Sequence, residues 1–397
     1  MWAGRHVVVG VTGGIACYKS CHLVRRLAEA GATVDVVLTN GAAEFVRPLT
    51  FEALSGRPVL GSLWDPGRAL AHVRLGQEAD LIIVAPATAH LIARVAHGFA
   101  DDFLTAMLLA RTKPALFAPA MNDEMFAAPP TQANLDQLRD RGIAIVGPEV
   151  GALAEGASDR PGRMSEPETI LQHARRLLET RAPLAGKRVV VTAGPTREGL
   201  DPARVITNRS SGKMGFRLAE AAWWRGAEVL LITGPSGEAD PPGVTVERIE
   251  STAELEAAVR RALPNADLLI MAAAPADYRP GAPMDRKQPR AAGPLSVSLD
   301  PTIDVLGSTR DARRPGAVIV GFALETGEAI AKATDKLARK DLDFIVVNDA
   351  LEPGAGFEVD TNRVIIVERG GASHPIPFGS KAAIAEAILD RVEVRLG

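Results

Sequence analysis

The sequence predicts an α/β protein with two doubly wound, Rossmann-like domains, each built on a parallel sheet. The chain has 397 residues, enough for at least two domains, and 47% of them are apolar, which excludes wholesale disorder. A β–glycine loop–α–β pattern opens the chain and recurs after residue 186. Units of this kind form parallel sheets with right-handed crossovers.

The first unit begins with a valine-rich run at residues 6–11, which predicts a buried strand. Residues 12–14 (TGG) predict a tight loop, and residues 15–29 have the apolar spacing of a helix. Gly31 ends that helix, and residues 33–38 predict the second strand of the unit.

The second half repeats this order. Residues 187–192 predict a strand, residues 215–224 a helix and residues 228–232 the next strand. An apolar run at residues 80–86 is mirrored by another at residues 267–273. We therefore expect the two halves to share one architecture.

The weakest point between the halves is residues 180–186, which contain a proline and a glycine. We therefore predict one domain at residues 1–182 and another at residues 183–397. Residues 278–294 are rich in proline and basic side chains, which predicts an irregular functional flap or a disordered segment.

Composition excludes several classes of protein. The 45 basic and 48 acidic residues nearly balance, which argues against a broad nucleic-acid surface. Cys17 and Cys21 cannot form a disulfide framework, and we expect them to pack within a helix. We expect no secretory signal and no membrane span, since the apolar runs have strand length. A cytoplasmic location follows as the expectation.

Polar and glycine residues follow three predicted strands of the first half, at residues 12–14, at Thr39 and at residues 85–89. Each segment alone is more typical of an ordinary turn. Because open α/β sheets bind ligands at the carboxyl ends of their strands, the three segments together predict a ligand crevice.

Four segments of the first half carry a family resemblance: residues 12–19 (TGGIACYK), 71–76 (AHVRLG), 119–126 (PAMNDEMF) and 161–164 (PGRM). In this order they resemble the homo-oligomeric flavin-containing cysteine decarboxylases, whose domain is flavodoxin-like. The resemblance implies an FMN site. The residues that would contact FMN are Gly13, Gly14, Thr39, Pro86, Thr88, Met121 and Arg163.

The same resemblance implies the chemistry. His72 would act as a base on the cysteinyl end of 4′-phosphopantothenoylcysteine, and Asn122 would bind the carboxylate that leaves as CO₂. Flavin oxidation of the CH₂–SH group would supply the electron sink that the decarboxylation needs. Without the resemblance, we would interpret His72 as a structural residue and Asn122 as the cap of a turn. His90 and His97 keep a structural interpretation.

One departure concerns the final proton. Many family members carry a proton-donating cysteine in a flap before the G-R-M segment, whereas this chain has Glu155 at that position. A carboxylic acid can donate a proton if a closed site favours its protonated form. Glu155 is therefore a hypothetical proton donor, and a solvated loop glutamate is the alternative.

In the second half, residues 192–198 (TAGPTRE) follow a strand, and residues 208–215 (NRSSGKMG) precede a helix. The Ser-Ser-Gly-Lys run suits an anion but lacks P-loop spacing. Together with residues 272–278, 321–326 and 348–349, these segments resemble the phosphopantothenate–cysteine ligases. Both halves in this order resemble the bacterial bifunctional enzymes of coenzyme A biosynthesis.

The ligase resemblance implies that 4′-phosphopantothenate reacts with CTP, aided by Mg²⁺, to give an acyl-cytidylate that cysteine then captures. Asn208 would bind the acyl intermediate, and Asp277 would serve the nucleotide or its metal. The other implied nucleotide contacts are Lys213, Met271, Ala272, Ala273, Lys287, Ile303, Asp304, Val305, Leu306, Phe322, Lys336 and Lys340. A solvated basic helix face is the alternative for Lys336 and Lys340, which are four residues apart.

Residues 287–290 (KQPR) depart from the family pattern, in which the loop has another lysine and no proline. This departure and Glu155 leave open a protein with one inactive half. A flavin-binding regulatory protein is a further alternative. A dehydrogenase is disfavoured because residues 10–14 lack G-x-G-x-x-G spacing. The family also implies a homo-oligomer, with trimeric decarboxylase units and dimeric ligase units.

Overall fold

The computed structural model describes residues 1–180, 183–287, 295–325, 329–349 and 359–396. The chain divides into two compact units, Met1–Leu178 and Glu179–Gly397. The domain boundary predicted from the sequence, between residues 182 and 183, falls slightly later in the chain.

A five-stranded parallel sheet forms the centre of the first unit. Its strands are β1 (His6–Val11), β2 (Thr33–Leu38), β3 (Leu81–Ala87), β4 (Ala115–Pro119) and β5 (Ile143–Ile145). They lie in the order β2-β1-β3-β4-β5, and every neighbouring pair is parallel. This is the flavodoxin-like order, in which the chain moves outward to β2 on one side of β1 and then to β3, β4 and β5 on the other.

Helices cover both faces of this sheet. They are α1 (Cys17–Glu29), α2 (Asn40–Ala43), α3 (Pro48–Ser55), α4 (Ala71–Glu78), α5 (Ala89–Ala96), α6 (Phe103–Ala110), α7 (Asp123–Ala127), α8 (Pro129–Asp140) and α9 (Pro167–Glu179). Val7 and Val9 pack into one core cluster and Val8 into the other, as alternation along a strand requires. Cys17 is buried in the first cluster. A small hairpin of β6 (Glu149–Val150) and β7 (Pro161–Arg163) lies beside the sheet.

An eight-stranded sheet forms the centre of the second unit. Its strands are β8 (Arg188–Ala193), β11 (Glu228–Thr233), β12 (Thr245–Arg248), β13 (Leu268–Met271), β16 (Val318–Glu325), β17 (Phe344–Asp349), β18 (Thr361–Glu368) and β19 (Ser373–Ser380). The order is β12-β11-β8-β13-β16-β17-β18-β19. The first six strands are parallel and have the Rossmann arrangement, so the predicted fold class is confirmed.

Helices also cover both faces of the second sheet. They are α10 (Lys213–Trp224), α11 (Thr252–Ala262), α12 (Val305–Ser308), α13 (Ala329–Arg339) and α14 (Lys381–Leu396). Two short antiparallel pairs complete the unit: β9 (Arg197–Asp201) with β10 (Arg204–Thr207), and β14 (Tyr278–Pro280) with β15 (Leu299–Pro301). The guanidinium of Arg225, 1% exposed, lies 2.8 Å from Glu393 and joins the end of α10 to α14.

The structure differs from the sequence prediction in several places. The last two strands, β18 and β19, are antiparallel and were not predicted. The predicted irregular segment begins with strand β14, while residues 288–294 lie outside the described residues. Helix α10 begins two residues earlier than predicted, at Lys213, and helix α1 begins two residues later than predicted, at Cys17. No helix in the described part of the chain has both the length and the apolar character needed to cross a bilayer.

Helix α10 packs so closely on β8 that a side chain at Gly215 has no room. A Cβ there would lie 2.6 Å from the Cβ of Ala193 and 2.8 Å from the carbonyl oxygen of Thr192. We expect Gly215→Ala to lower the free energy of unfolding by about 1–3 kcal/mol, despite the higher helix propensity of alanine. Denaturant unfolding followed by tryptophan fluorescence reports on α10, which carries Trp223 and Trp224.

Gly237→Ala is the matched control, because a Cβ at Gly237 meets no atom within 4 Å. Equal stability of the two alanine variants would contradict the close packing of α10 on β8.

Candidate active sites

A cavity of about 950 Å³ lies at the carboxyl edge of the first sheet. Its volume falls within the range of roughly 300–1,000 Å³ typical of cofactor sites. The loops that follow β1, β2 and β3 line it, as the sequence predicts for a ligand crevice. Eight of the predicted site residues line this cavity: Gly13, Gly14, Thr39, Thr88, Met121, Asn122, Glu155 and Arg163.

The glycine loop is shaped by close contact with the loop after β2. A Cβ at Gly13 would lie 2.7 Å from the carbonyl carbon of Gly41, so only glycine fits. At Gly14 the nearest atom would be Cγ2 of Thr88, at 3.7 Å. The loop leads into α1, whose N-cap residue Ala16 provides no capping side chain. Such a helix start suits a phosphate, which fits the phosphate group of FMN.

Threonine hydroxyls shape the rest of this edge. Thr39 caps α2 by accepting a hydrogen bond from the N–H of Ala42, and Thr88 caps α5 in the same way. The hydroxyl of Thr12 donates to the carbonyl of Pro86 at 2.7 Å. Pro86 itself is buried and does not line the cavity. Its structural contact is therefore to Thr12.

The amide of Asn122 has a fixed orientation. Its Oδ1 caps α7, accepting hydrogen bonds from the N–H groups of Glu124 at 2.9 Å and Met125 at 3.3 Å. The Nδ2 group therefore points away from α7 and donates to Oε2 of Glu155 at 2.9 Å. Asn122 thus presents a hydrogen-bond donor to the cavity, and a carboxylate accepts from it.

Glu155 belongs to the flap between β6 and β7, and polar contacts hold this flap over the cavity. The hydroxyl of Ser158 donates to Asp123 at 2.5 Å, a contact that lowers the pKa of the Asp123 carboxyl. Arg160 pairs with Glu124. These contacts join the flap to α7, the helix that Asn122 caps. They therefore hold Glu155, on the flap, close to Asn122.

His72 lies apart from this cavity. It is in α4 and lines a separate surface cleft of about 420 Å³. Its Nδ1 is buried and has no hydrogen-bond partner among the described residues. Trp64, also in the cleft, is 88% exposed, and Leu109 is exposed as well. A single chain therefore does not bring His72 together with Asn122 and Glu155.

A second cavity, of about 840 Å³, lies within the second unit. Thirteen predicted residues line it: Asn208, Lys213, Met271, Ala272, Ala273, Asp277, Ile303, Asp304, Val305, Leu306, Phe322, Lys336 and Lys340. Lys287 is exposed and does not line the cavity. Residues 288–290, which complete the departing loop, lie outside the described residues.

Asn208 also has a fixed amide. Its Nδ2 donates to the carbonyls of Ala274 at 3.2 Å and Pro275 at 2.9 Å. Because both amide hydrogens are used, Oδ1 is the group that Asn208 can offer to a ligand, as an acceptor. Asn208 therefore offers an acceptor to its cavity, whereas Asn122 offers a donor.

Lys336 and Lys340 reach the cavity from the end of α13. The Nζ of Lys340 lies 2.7 Å from Oδ1 of Asp304, the N-cap of α12. Burial favours a raised pKa at Asp304, but the hydrogen bond and the charge of Lys340 lower it below the ordinary value. Asp277 borders both the cavity and a smaller cleft that Lys336 and Lys340 share. This arrangement suits a polyphosphate with a bound cation.

In the parts of the chain that the structure describes, no group of three or more His, Cys, Asp or Glu side chains could hold a metal ion. Mg²⁺ in nucleotide sites is usually held by one or two carboxylates and the substrate phosphates. Asp277 fits such a partial site.

The distinctive segment at residues 192–198 does not line the second cavity. The Oγ1 of Thr196 accepts a hydrogen bond from the N–H of Ala276 at 2.8 Å. The buried carboxylate of Glu198 accepts from both the N–H and the hydroxyl of Thr252 at 2.8 Å. The segment therefore supports the loop after β13, whose residues do line the cavity.

Several lining residues were given no ligand-binding role in the sequence analysis. In the first cavity they include Lys19, Asn40, Gly41, His90 and Arg94. In the second they include Arg339, Asn348, Asn362 and Lys381. Asn40 and Gly41 directly follow Thr39, so the strand-end argument could have reached them. Lys381 follows an unpredicted antiparallel strand, and no local pattern marks it.

Each unit thus carries its own ligand cavity at a sheet edge, and the two together define a bifunctional α/β enzyme. The family model named Flavoprotein matches residues 1–179, and the model for the DNA/pantothenate metabolism flavoprotein C-terminal domain matches residues 184–395. The chain belongs to the family of coenzyme A biosynthesis bifunctional proteins, CoaBC. It is a bifunctional enzyme of coenzyme A biosynthesis, and its first half is a flavoprotein.

The relatives match almost the whole chain. The CoaBC protein of Vibrio cholerae is 42% identical and covers 99% of both chains. That of Mycobacterium tuberculosis is 45% identical over 98% of this chain and 96% of its own. A crystal structure of the C-terminal domain of a CoaBC protein is 36% identical, with a TM-score of 0.46 over 54% of this chain and 98% of that chain.

The contact between Gly13 and Gly41 provides a test of the FMN site. We expect Gly13→Ala to push the two loops apart and to reduce the flavin that copurifies with the protein about tenfold or more. The measurement is the visible absorbance of bound flavin per chain. Ligase activity of the second unit is the internal control and should not change. Full flavin content in Gly13→Ala would contradict the assignment of this loop to FMN.

Proposed function

We propose that the second unit joins cysteine to 4′-phosphopantothenate with CTP and Mg²⁺, and that the first unit decarboxylates the product to 4′-phosphopantetheine with FMN. One observation carries the proposal. Each cavity gathers most of the side chains that the resemblance assigns to one of the two reactions, although they are far apart in the sequence.

In the ligase reaction, the carboxylate of 4′-phosphopantothenate attacks the α-phosphate of CTP and displaces pyrophosphate. The amine of cysteine then attacks the acyl carbon, and CMP leaves as the amide forms. Lys336 and Lys340 would supply positive charge to the triphosphate, and Asp277 would hold Mg²⁺ together with the phosphates. Oδ1 of Asn208 accepts a hydrogen bond from an N–H or O–H group of the pantothenoyl chain.

In the decarboxylase reaction, FMN supplies a reversible two-electron oxidation of the substrate's CH₂–SH group, which makes the loss of CO₂ possible. The protein orients the substrate and moves protons. Nδ2 of Asn122 donates to the substrate carboxylate, as it does to Glu155 in this structure. The flap then covers the reacting carbon and excludes water.

Glu155 is proposed as the proton donor. Its carboxylate accepts the hydrogen bond from Asn122 that the substrate carboxylate would accept. Substrate binding therefore displaces Glu155 from Asn122 but leaves it next to the substrate. The Glu155 carboxyl group delivers its proton to the product carbon in place of the CO₂ that leaves, and Glu155 recovers a proton from solvent.

We further propose that His72 acts from a neighbouring protomer. In one chain it lies outside the cavity, in a cleft bordered by exposed apolar side chains such as Trp64 and Leu109. Packing of a second copy against this surface would cover them and bring His72 to a flavin site. The trimeric and dimeric units, and the cytoplasmic location, stay predictions.

Incubation of the FMN-loaded protein with 4′-phosphopantothenate, cysteine, CTP and Mg²⁺ tests the proposal, with products followed by mass spectrometry. We expect CMP, pyrophosphate, CO₂ and 4′-phosphopantetheine. Accumulation of 4′-phosphopantothenoylcysteine would contradict the proposed activity of the first unit. Absence of both pantothenoyl products would contradict the proposal for the second.

Glu155→Gln should slow the decarboxylation of supplied 4′-phosphopantothenoylcysteine about 100-fold or more, because glutamine keeps the hydrogen bond acceptor but has no acidic proton. The ligase rate of the same protein should not change. Asp159→Asn is the control, since Asp159 lies on the same flap but does not line the cavity. An unchanged decarboxylation rate in Glu155→Gln would exclude Glu155 as the donor.

A further inference from the structure

The end of α13 must satisfy the carbonyl groups that the helix leaves without partners. The last four carbonyls of an α-helix have no N–H group further along the helix to accept from. Asp341, just past the helix, has a φ of 52°, and its N–H donates to the carbonyl of Ala338 at 3.2 Å. The N–H of Leu342 donates to the carbonyl of Leu337 at 3.0 Å. This Schellman turn satisfies two of the four carbonyls and leaves two for other donors.

Two arginines that follow α12 donate to the remaining carbonyls. Nη2 of Arg310 donates to the carbonyl of Arg339 at 2.6 Å. Nη2 of Arg313 donates to the carbonyl of Lys340 at 3.2 Å, and its Nη1 donates to that of Asp341 at 2.8 Å. The carbonyl end of a helix carries partial negative charge, so cations are stabilised there. Arginines from one segment thus complete the hydrogen bonding at the end of α13.

Arg313 differs from Arg310 because it is buried and also holds α12. Its side chain is 9% exposed, and its Nη2 donates to the carbonyl of Leu306 in α12 at 2.9 Å. Burial, and then the charge of Arg310, lower the pKa of Arg313. In the described part of the chain its acceptors are all backbone carbonyls, and its Nε has no partner. Because burying a cation costs free energy unless its donors are satisfied, these carbonyls of two helices hold Arg313 in place.

The two helices that Arg313 joins both contribute to the lining of the second cavity. Asp304, Leu306 and Lys340 line this cavity, whereas Arg313 does not. Within the cavity, the ammonium of Lys340 pairs with Asp304, the N-cap of α12. Outside it, Arg313 holds the backbone at Lys340 and Leu306. The two helices are therefore joined twice, by an ion pair that a ligand can reach and by a buried guanidinium.

We propose that Arg313 is a positioning residue of the ligase, which keeps α12 and α13 together while the nucleotide is bound. The proposal rests on the ligase function proposed above. A phosphate that pairs with Lys340 competes with Asp304 for the same ammonium, so the ion pair between the helices weakens on binding. The hydrogen bonds of Arg313 go to carbonyls outside the cavity and stay in place. Arg313 thus acts through Lys340 on the affinity for the triphosphate and contacts no ligand itself.

Arg313→Lys tests this role, because lysine keeps the charge but has one nitrogen in place of the guanidinium that spans the carbonyls of both helices. We expect KM for CTP to rise about tenfold, the effect of losing one charge-assisted hydrogen bond, with no change in KM for 4′-phosphopantothenate. Arg314→Lys is the matched control, since Arg314 is the next residue in the sequence but pairs with Asp267 instead of α12 or α13. Its KM for CTP should not change.

A double variant separates positioning from general stability. If Arg313 acts through Lys340, Arg313→Lys should have little further effect on KM for CTP once Lys340→Met has removed the ammonium. The same factor in both backgrounds would contradict the proposal. So would an Arg313→Lys protein whose Tm falls with no change in KM for CTP, or one whose KM values for both substrates rise equally.

Binding gives a readout that does not depend on catalysis. CTP with Mg²⁺, without the other substrates, should raise the Tm of the wild type and of Arg314→Lys more than that of Arg313→Lys. Equal rises in the three proteins would overturn the inference. A wild type that binds CTP but forms no CMP would refute the proposed ligase function alone, because the Tm shifts would still test Arg313. No rise in the wild type would overturn both.

Discussion

Both cavities depend on one constraint, the parallel pairing of strands. Parallel neighbours end at the same edge of a sheet, so the loops after β1, β2 and β3 in the first unit meet at one place. In the second unit, the parallel strands β8, β13 and β16 likewise end at one edge of the sheet. Close backbone contacts then fix the shape of each edge. Gly13 against Gly41 and Gly215 against Thr192 leave no room for a Cβ.

Within these edges, hydrogen bonds to the backbone set the chemical polarity of the site. Asn122 uses its oxygen to cap a helix and presents its N–H₂ group, whereas Asn208 uses its N–H₂ group on two carbonyls and presents its oxygen. One residue type thus suits a carboxylate in the first unit and a hydrogen-bond donor in the second. The flap residue Glu155, the proposed acid, accepts a hydrogen bond from Asn122 at the position proposed for the substrate carboxylate. The proposed acid therefore lies next to the group that binds the substrate.

Much of this architecture could be predicted from the sequence because it is encoded locally. The valine-rich run at residues 6–11 is strand β1, and residues 33–38 are strand β2. The glycine and threonine residues at strand ends, such as Gly13 and Thr88, line a cavity as expected. These positions follow directly from strand ends, where a local pattern is sufficient.

Features that depend on distant contacts could not be predicted. Glu198 meets Thr252 across the fold, and nothing in the local pattern of residues 192–198 distinguishes this support from ligand binding. Lys381 reaches the second cavity through the antiparallel strands β18 and β19, which no local signal indicated. His72 lies outside the first cavity of its own chain, so its proposed role depends on a second chain.

The central claim is that each half of the chain performs one of two successive reactions in its own cavity. Complementation between Asn122→Ala and Asn208→Ala proteins tests it most directly. Alone, Asn122→Ala should stop at 4′-phosphopantothenoylcysteine, and Asn208→Ala should leave 4′-phosphopantothenate unused while still decarboxylating supplied 4′-phosphopantothenoylcysteine. A mixture of the two should form 4′-phosphopantetheine from 4′-phosphopantothenate, cysteine and CTP. A mixture that forms none, or an Asn208→Ala protein that cannot decarboxylate, would contradict the account.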